Sequence, residues 1–267
     1  MGEKYKNTLN FKEEFIMKQS LLLFGFLVLT LIISGCVQPT TKPRTVSEYM
    51  PKFDFTPPSY APANSADVTF ALVSPAYQGN QKWMSVPPFN LIPKNMSKDF
   101  EELLIAKGFT IKGPFRNYEE MTYPDKKNSD LILVPDLEIG LNFSQLQVIT
   151  KQPPLLSLRT TPTYSLGGNV IISGRVSLNV LESLTGEKMW TKSVDIPSTT
   201  VYIEGEKEYN QPVRQIDFSD KGIFVPIAKK IKKIYDEIMK TSWKYLDPEE
   251  MSTVKKESLE IRKKKVY

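Results

Sequence analysis

Five isoleucines, Ile223, Ile227, Ile231, Ile234 and Ile238, recur at spacings of four, four, three and four residues. That spacing brings a side chain back to one face of an α-helix once per turn, and Lys229, Lys230, Lys232, Lys233 and Lys240 fall opposite. The pattern predicts a long amphipathic helix from about Ile223 to Tyr245. Packing against a sheet is its expected role, ahead of lying on a membrane.

The strands for that sheet are legible upstream. Val68-Thr69-Phe70-Ala71-Leu72-Val73 is a β-prone run halted by Ser74-Pro75. A loop with Trp83, Pro87, Pro88 and Pro93 follows, and then a helix is expected with Ser97 as its cap. Asp99, Glu101 and Glu102 suit its positive amino end, Phe100, Leu103 and Leu104 form its apolar face, and Gly108 closes it. Phe109-Thr110-Ile111 starts a second strand, which makes a strand–helix–strand unit. Leu131-Ile132-Leu133-Val134 is apolar without alternation, as in a strand covered on both faces, whereas Leu137, Ile139, Leu141 and Phe143 then alternate with polar positions. Pro135 between them signals a bulge or an edge. Lys151 to Gly168 reads as a flexible excursion. Val170 to Val180 and Lys188 to Val194, joined at Leu184-Thr185-Gly186-Glu187, read as a long hairpin, with Thr199 to Glu204 a further extension of the sheet. Gly205 to Ser219 is a polar loop. Pro248 opens a second helical piece through Lys265, thin in apolar residues and expected to be loosely docked. The fold class is α/β (α+β): a mixed sheet with a long β-hairpin, one helix in a strand–helix–strand unit and a long carboxy-terminal amphipathic helix.

The amino-terminal part addresses placement. Lys18 leads into the apolar run from Leu21 to Ile33, which closes on Ser34-Gly35-Cys36. This run is shorter than the roughly 20 residues that cross a bilayer and ends on small residues, so it reads as a secretory signal rather than a permanent span. Cys36 is the only cysteine of the chain. Cleavage between Gly35 and Cys36 exposes a thiol for diacylglyceryl attachment, and two or more acyl chains hold a protein on a membrane stably. An uncleaved signal anchor and a buried structural cysteine are the rival readings. Met17-Lys18-Gln19-Ser20 has the form of a signal front, unlike the acidic residues 1–16. The absence of aspartate after Cys36 points to the outer membrane. Residues 1–36 are thus the upstream segment and lipoprotein signal, 37–66 a proline-rich tether, 67–247 a single α/β domain, and 248–267 a basic helical tail. The aromatics of Phe53-Asp54-Phe55-Thr56-Pro57-Pro58-Ser59-Tyr60 are expected to lie against the domain, with a docking motif for another protein as the alternative.

Among 267 residues there is no histidine, which excludes serine–histidine and cysteine–histidine nucleophilic catalysis and histidine metal ligands. No Walker loop, dinucleotide fingerprint or Cys-x-x-Cys is present, so no cofactor, no metal and no enzymatic activity are expected. Thirteen basic and seven acidic side chains fall in residues 221–267, which confines the basicity to the tail. Nucleic acid is not an expected partner of an exported lipoprotein; anionic lipid, another envelope polymer or water is.

Phe53-Asp54-Phe55, Val73-Ser74-Pro75-Ala76-Tyr77-Gln78, Gly108-Phe109 and Leu181-Glu182-Ser183-Leu184-Thr185-Gly186-Glu187, with the lysine-rich carboxy-terminal helices, resemble the family of bacterial lipoproteins named for the neuraminyllactose-binding hemagglutinin. The resemblance covers about residues 47–260. It implies an outer-membrane lipoprotein, proposed in that family to bind sialylated glycans through a basic segment between the long strands. The comparable excursion here, Ile149 to Leu156, holds one lysine, Lys151, in place of a basic cluster. The Thr185-Gly186-Glu187 hairpin with Trp190 is also similar to small periplasmic α/β lipoproteins that anchor envelope machines. The expectation is therefore a non-enzymatic, lipid-anchored module with an envelope protein as partner. A glycan-binding adhesin is the alternative, with Trp83, Arg159 and Tyr164 as loop residues for ligand binding. A hydrolase using Asp136 and Glu138 is the third reading.

Overall fold

The five isoleucines do lie on one helix in the computed structural model, which describes residues 46–153, 155 and 161–265. The chain divides into two units. Met1–Arg44 falls outside the described residues, and Thr45–Tyr267 is the folded unit. Its elements are β1 (Thr69–Val73), β2 (Ala76–Tyr77), α1 (Ile92–Ala106), β3 (Thr110–Phe115), α2 (Tyr123–Lys127), β4 (Leu131–Lys151), β5 (Thr163–Glu182), β6 (Lys188–Glu204), α3 (Lys221–Tyr245) and α4 (Pro248–Lys264). The sheet runs β3-β1-β4-β5-β6, with the short β2 beside β4. β1 is parallel to β3 and β4, and the β4–β5 and β5–β6 pairs are antiparallel. This is a mixed α+β fold, with a parallel part organised by α1 and a long antiparallel part built from β4, β5 and β6.

The isoleucine stripe packs on the sheet. Ile223, Ile227, Ile231 and Ile238 are each no more than 2% exposed, and burying such a side chain stabilises by about 1.5–3 kcal/mol. They meet Val170, Ile172 and Val176 of β5 and Val194 and Ile196 of β6 in one core cluster. Phe70 and Leu72 of β1 join that cluster, while Ala71 and Val73 point the other way into a smaller one with Ile132 and Met121. Both faces of the parallel part are therefore covered, which is why Leu131-Ile132-Leu133-Val134 lacks alternation.

Several expectations are corrected. The first long helix starts at Ile92 rather than at Ser97, because Pro93 fits the first turn, where its missing N–H has no intrahelical partner to lose. Ser97 is buried within the helix, its Oγ 3.4 Å from that of Ser74. Asp99 does not face solvent at the amino end; it is buried and accepts a hydrogen bond from the Tyr235 hydroxyl of α3. Gly108 does end the helix, with φ +86°. Pro135 pairs in register with Leu178, and on its other side it falls between the β1 and β2 pairings, where the register slips (Leu72 opposite Leu133, Ala76 opposite Asp136) and no N–H is called for, as the bulge-or-edge reading expects. The excursion expected over Lys151–Gly168 is shorter, since Lys151 pairs with Thr163 and residues 163–168 belong to β5.

Three register shifts interrupt the β4–β5–β6 ladders, one of them between Val180 and Leu181 of β5, and two concern the shape of the hairpin. One adds a residue to β4 between Asn142 and Gln145. The other, between β5 and β6, falls at Gly174, whose φ is +142° and where a Cβ would lie 1.9 Å from the Glu138 carbonyl oxygen.

The carboxy-terminal helix is docked rather than loose. Met251 and Val254 of α4 enter the core, and Glu250 accepts from Trp190 Nε1 at 2.8 Å and Lys192 Nζ at 2.7 Å of β6. Further along, Lys255 Nζ stands 3.1 Å from the Asp130 carboxylate. Arg262 pairs with the fully buried Glu182 and donates to the carbonyls of Ser129 at 2.8 Å and Asp130 at 3.0 Å. A tail read as basic thus spends much of its charge on internal ties.

The second half of the tether lies on the domain as a strap. A 3-10 turn at Val46–Tyr49 opens it beside α3, with Lys221 Nζ 5.1 Å from the Tyr49 ring centre. Phe53 enters the core, its ring centre 4.9 Å from that of Tyr235. The Tyr60 hydroxyl donates to Glu102 and the Ala61 N–H to the Ala106 carbonyl, so the strap reaches the end of α1 before β1 begins.

Candidate functional site

The residues singled out in the sequence are scattered. Gly35, Cys36 and Arg159 lie outside the described residues. Trp83 is not an open loop residue: it is 7% exposed and held edge-on between Tyr77 at 5.6 Å and Phe89 at 4.8 Å. Tyr164 is not in a flexible loop either. It sits in β5 opposite Thr150 and exchanges backbone hydrogen bonds with Tyr209, both 2.9 Å. Packing against the core decides the placement of Trp83, and backbone pairing on both sides that of Tyr164.

Asp136 and Glu138 do share one face of β4, as alternation requires. Each is tied to a neighbour. Asp136 accepts from Gln78 Nε2 and Asn179 Nδ2, both at 2.8 Å, and Glu138 pairs with Arg175 Nε at 2.9 Å. Both carboxylates act as cross-strand links. Among the described residues no cluster of three or more histidine, cysteine, aspartate or glutamate side chains could hold a metal ion.

The concave feature with the chemistry of a binding site lies between the strap and α3. Asp54, Phe55, Thr56 and Pro58 form one wall, and Asp236, Lys240, Trp243 and Lys244 the other, around a groove of about 600 Å³. Positions 236, 240, 243 and 244 fall on one flank of the helix by its i, i+4 repeat. The wall opposite exists because Phe53 anchors the strap. Phe55 and Trp243, both half-buried, give the groove an apolar floor, and two carboxylates and two ammonium groups stand at its rim. Volumes of about 300–1,000 Å³ with apolar lining and a few polar groups are typical of ligand sites.

Its base is electrostatically set. Lys107 Nζ lies 4.2 Å from the Trp243 ring centre, a cation–π contact, and burial lowers its pKa against the opposing effect of Asp247. Deeper in, burial raises the Asp99 carboxyl above the ordinary aspartate value, the Tyr235 hydrogen bond opposing it. Burial and the adjacent Asp99 push the Tyr235 hydroxyl far above the usual phenol range. The hydroxyl therefore stays protonated and fastens α1 to α3 beneath the strap. Sequence reading missed this groove. The signal was there in Trp243 beside the isoleucine stripe and in the paired aromatics Phe53 and Phe55, but nothing in the sequence brings the two together.

The mixed sheet with α1 on its parallel part and α3 across its hairpin defines a class of α+β domain already seen among solved structures. It is similar to the neuraminyllactose-binding hemagglutinin homolog from Helicobacter pylori, with a TM-score of 0.54 and 16% identity over 77% of this chain and 99% of that one. Looser matches are lipoprotein GNA1162 from Neisseria meningitidis (TM-score 0.28, 10% identity, 62% of this chain and 94% of that one) and a protein from Xanthomonas campestris (TM-score 0.30, 7% identity, 75% and 96%). The distant resemblance read from the sequence is thus met in the fold, and at 16% identity it is the fold alone that is shared. No family model and no curated protein matches the sequence.

Proposed function

We propose that this chain is a lipid-anchored, non-enzymatic module of the cell envelope, held at the outer membrane through Cys36, which binds an envelope protein in the groove between the strap and α3. The groove carries the reading. Its wall is already an extended peptide, Phe53 to Pro58, laid along α3, so the helix presents a surface that takes an extended segment. The apolar floor of Phe55 and Trp243 suits a large apolar side chain, and the mixed rim of Asp54, Asp236, Lys240 and Lys244 suits a segment with charges of both signs. The structural use of Asp136 and Glu138 supports a binding role over hydrolysis.

The test is photo-crosslinking in cells from a reactive residue placed at exposed Lys244, with exposed Glu119 as control. One envelope protein captured from 244 and not from 119, and lost when Trp243→Ala is added at unchanged protein level, is the expected result. Equal capture from both positions sinks the proposal. The second reading, an adhesin for sialylated glycans, draws on the name of the Helicobacter protein. Glycan-array binding that survives Trp243→Ala while crosslinking finds no envelope protein would favour it.

A further inference from the structure

Among the described residues the sheet has three main stretches of unpaired edge, and two are guarded. β3 is six residues long and carries Lys112 and Pro114. The outer strand β6 carries Lys188, Lys192, Asp195, Pro197 and Glu204. Charges and prolines of this kind stop an edge from pairing with another chain. The third stretch is β4 beyond Leu137, where its pairing with β2 ends. From Ile139 to Thr150 it carries neither a charge nor a proline, and among the described residues no strand pairs with that side. At ~3.3 Å per residue it presents roughly 40 Å of open edge.

Charges stand at its two ends, Glu138 and Lys151. Two copies of β4 laid edge to edge and antiparallel, with the two-fold axis between Ser144 and Gln145, bring Glu138 of each opposite Lys151 of the other. This register works only if paired residues lie on one face of the sheet, and the bulge provides that. Glu138, Asn142, Gln147 and Lys151 stand opposite Arg175, Ile171, Gly167 and Thr163 of β5, which alternate with a period of two and so share a face. Without the extra residue between Asn142 and Gln145 they would not. Glu138 is already bound to Arg175, and Lys151 lies 3.4 Å from Glu208. The pairing therefore creates at each end a row of alternating sign: Arg175, Glu138, Lys151 of the second copy, Glu208 of the second copy.

We infer that the chain forms a two-fold dimer through the free edge of β4, making one continuous sheet across two copies. Isologous symmetry of this kind is the commonest in soluble oligomers. The inference does not depend on what fills the groove beside Trp243.

The mature, full-length protein in detergent tests it by mass, as the dimer fraction against concentration. Asn142 and Gln147 are exposed and face each other across the dyad, so they report the register without touching the core. Asn142→Lys with Gln147→Lys sets like charges opposite at two symmetric places and should weaken the dimer about tenfold. Asn142→Glu with Gln147→Lys sets opposite charges there and should restore it. Unchanged thermal melting of both variants shows that the fold is intact. A monomer at all concentrations overturns the inference, as does a dimer indifferent to both double variants. Pairing of this edge with a different protein, the chain staying single by itself, overturns it too.

Discussion

Arg262→Ala tests how firmly α4 is fixed. In the native chain the Arg262 guanidinium reaches the Glu182 carboxylate, two backbone carbonyls and the Ser183 hydroxyl, from a side chain only 15% exposed. Glu182 is 0% exposed, and its other partners are the N–H groups of Leu184 at 3.0 Å and Thr185 at 2.5 Å. Truncation removes the cation bonded to a buried carboxylate and leaves the carbonyls of Ser129 and Asp130 short of a donor. Breaking one half of a buried pair costs about 3–5 kcal/mol. That is a large share of the ~5–15 kcal/mol that holds a domain together, and it corresponds to a fall in Tm of roughly 6–20 °C for a domain of this size. Urea unfolding followed by far-UV circular dichroism measures it. pH supplies a second signature. Burial pushes the Glu182 carboxyl up, but the Thr185 amide, Arg262 and the Leu184 amide outweigh it, and the pKa ends below the ordinary glutamate value of 4.5. Its stabilisation is therefore complete above about pH 4.5 and is lost as pH falls through the lowered native value. With Arg262 gone, burial meets less opposition, and acid unfolding should begin at higher pH. A loss under about 1 kcal/mol, or an unmoved acid limb, would refute the reasoning.

Two further outcomes concern the strap and the pair beneath it. Phe53→Ala should destabilise by about 3–5 kcal/mol, by chemical denaturation, and open residues 46–60 to limited proteolysis. A strap that stays protected in this variant would mean that Phe53 is not its anchor. Asp99→Asn keeps an acceptor for the Tyr235 hydroxyl but removes the buried charge. Because the native pKa of Asp99 is raised, its contribution is full below the ordinary aspartate value of 3.8 and declines as pH rises through the native one. The stability difference should therefore shift in favour of the Asn variant from acid to neutral pH; parallel profiles would show that the carboxylate is ionised without penalty.

Legibility in the sequence went with periodicity. The α3 stripe and the alternation after Pro135 each report a single local geometry, and both gave the right element. Ends and attachments were less legible. Pro93 reads as a breaker in sequence and as a first-turn residue in structure, which displaced the cap of α1 from Leu91 to Ser97, more than one and a half turns. The docking of α4 was hidden because its holding residues, Glu250, Lys255 and Arg262, are charged and read as solvent-facing until their partners on β5, on β6 and just ahead of β4 are known. Trp83 sits among prolines that read as a loop, and its packing between Tyr77 and Phe89 is a contact no local pattern specifies. The groove needed two segments about 190 residues apart, Phe55 and Trp243, and no local pattern connects them.

The strap also sets how far the domain can travel. Thirty residues between Cys36 and Asp67 suggest a generous tether, but with the strap docked only residues 37–45 remain, a contour of at most about 30 Å. Under the lipid anchoring at Cys36 proposed above, that would be a short leash, and a partner would have to reach the domain near the bilayer. Tension on the leash enters at Tyr49 and meets Phe53, seated against Tyr235, before it reaches any strand. An aromatic plug rather than the sheet would yield first, and each step of its release would lengthen the reach while leaving the folded body whole.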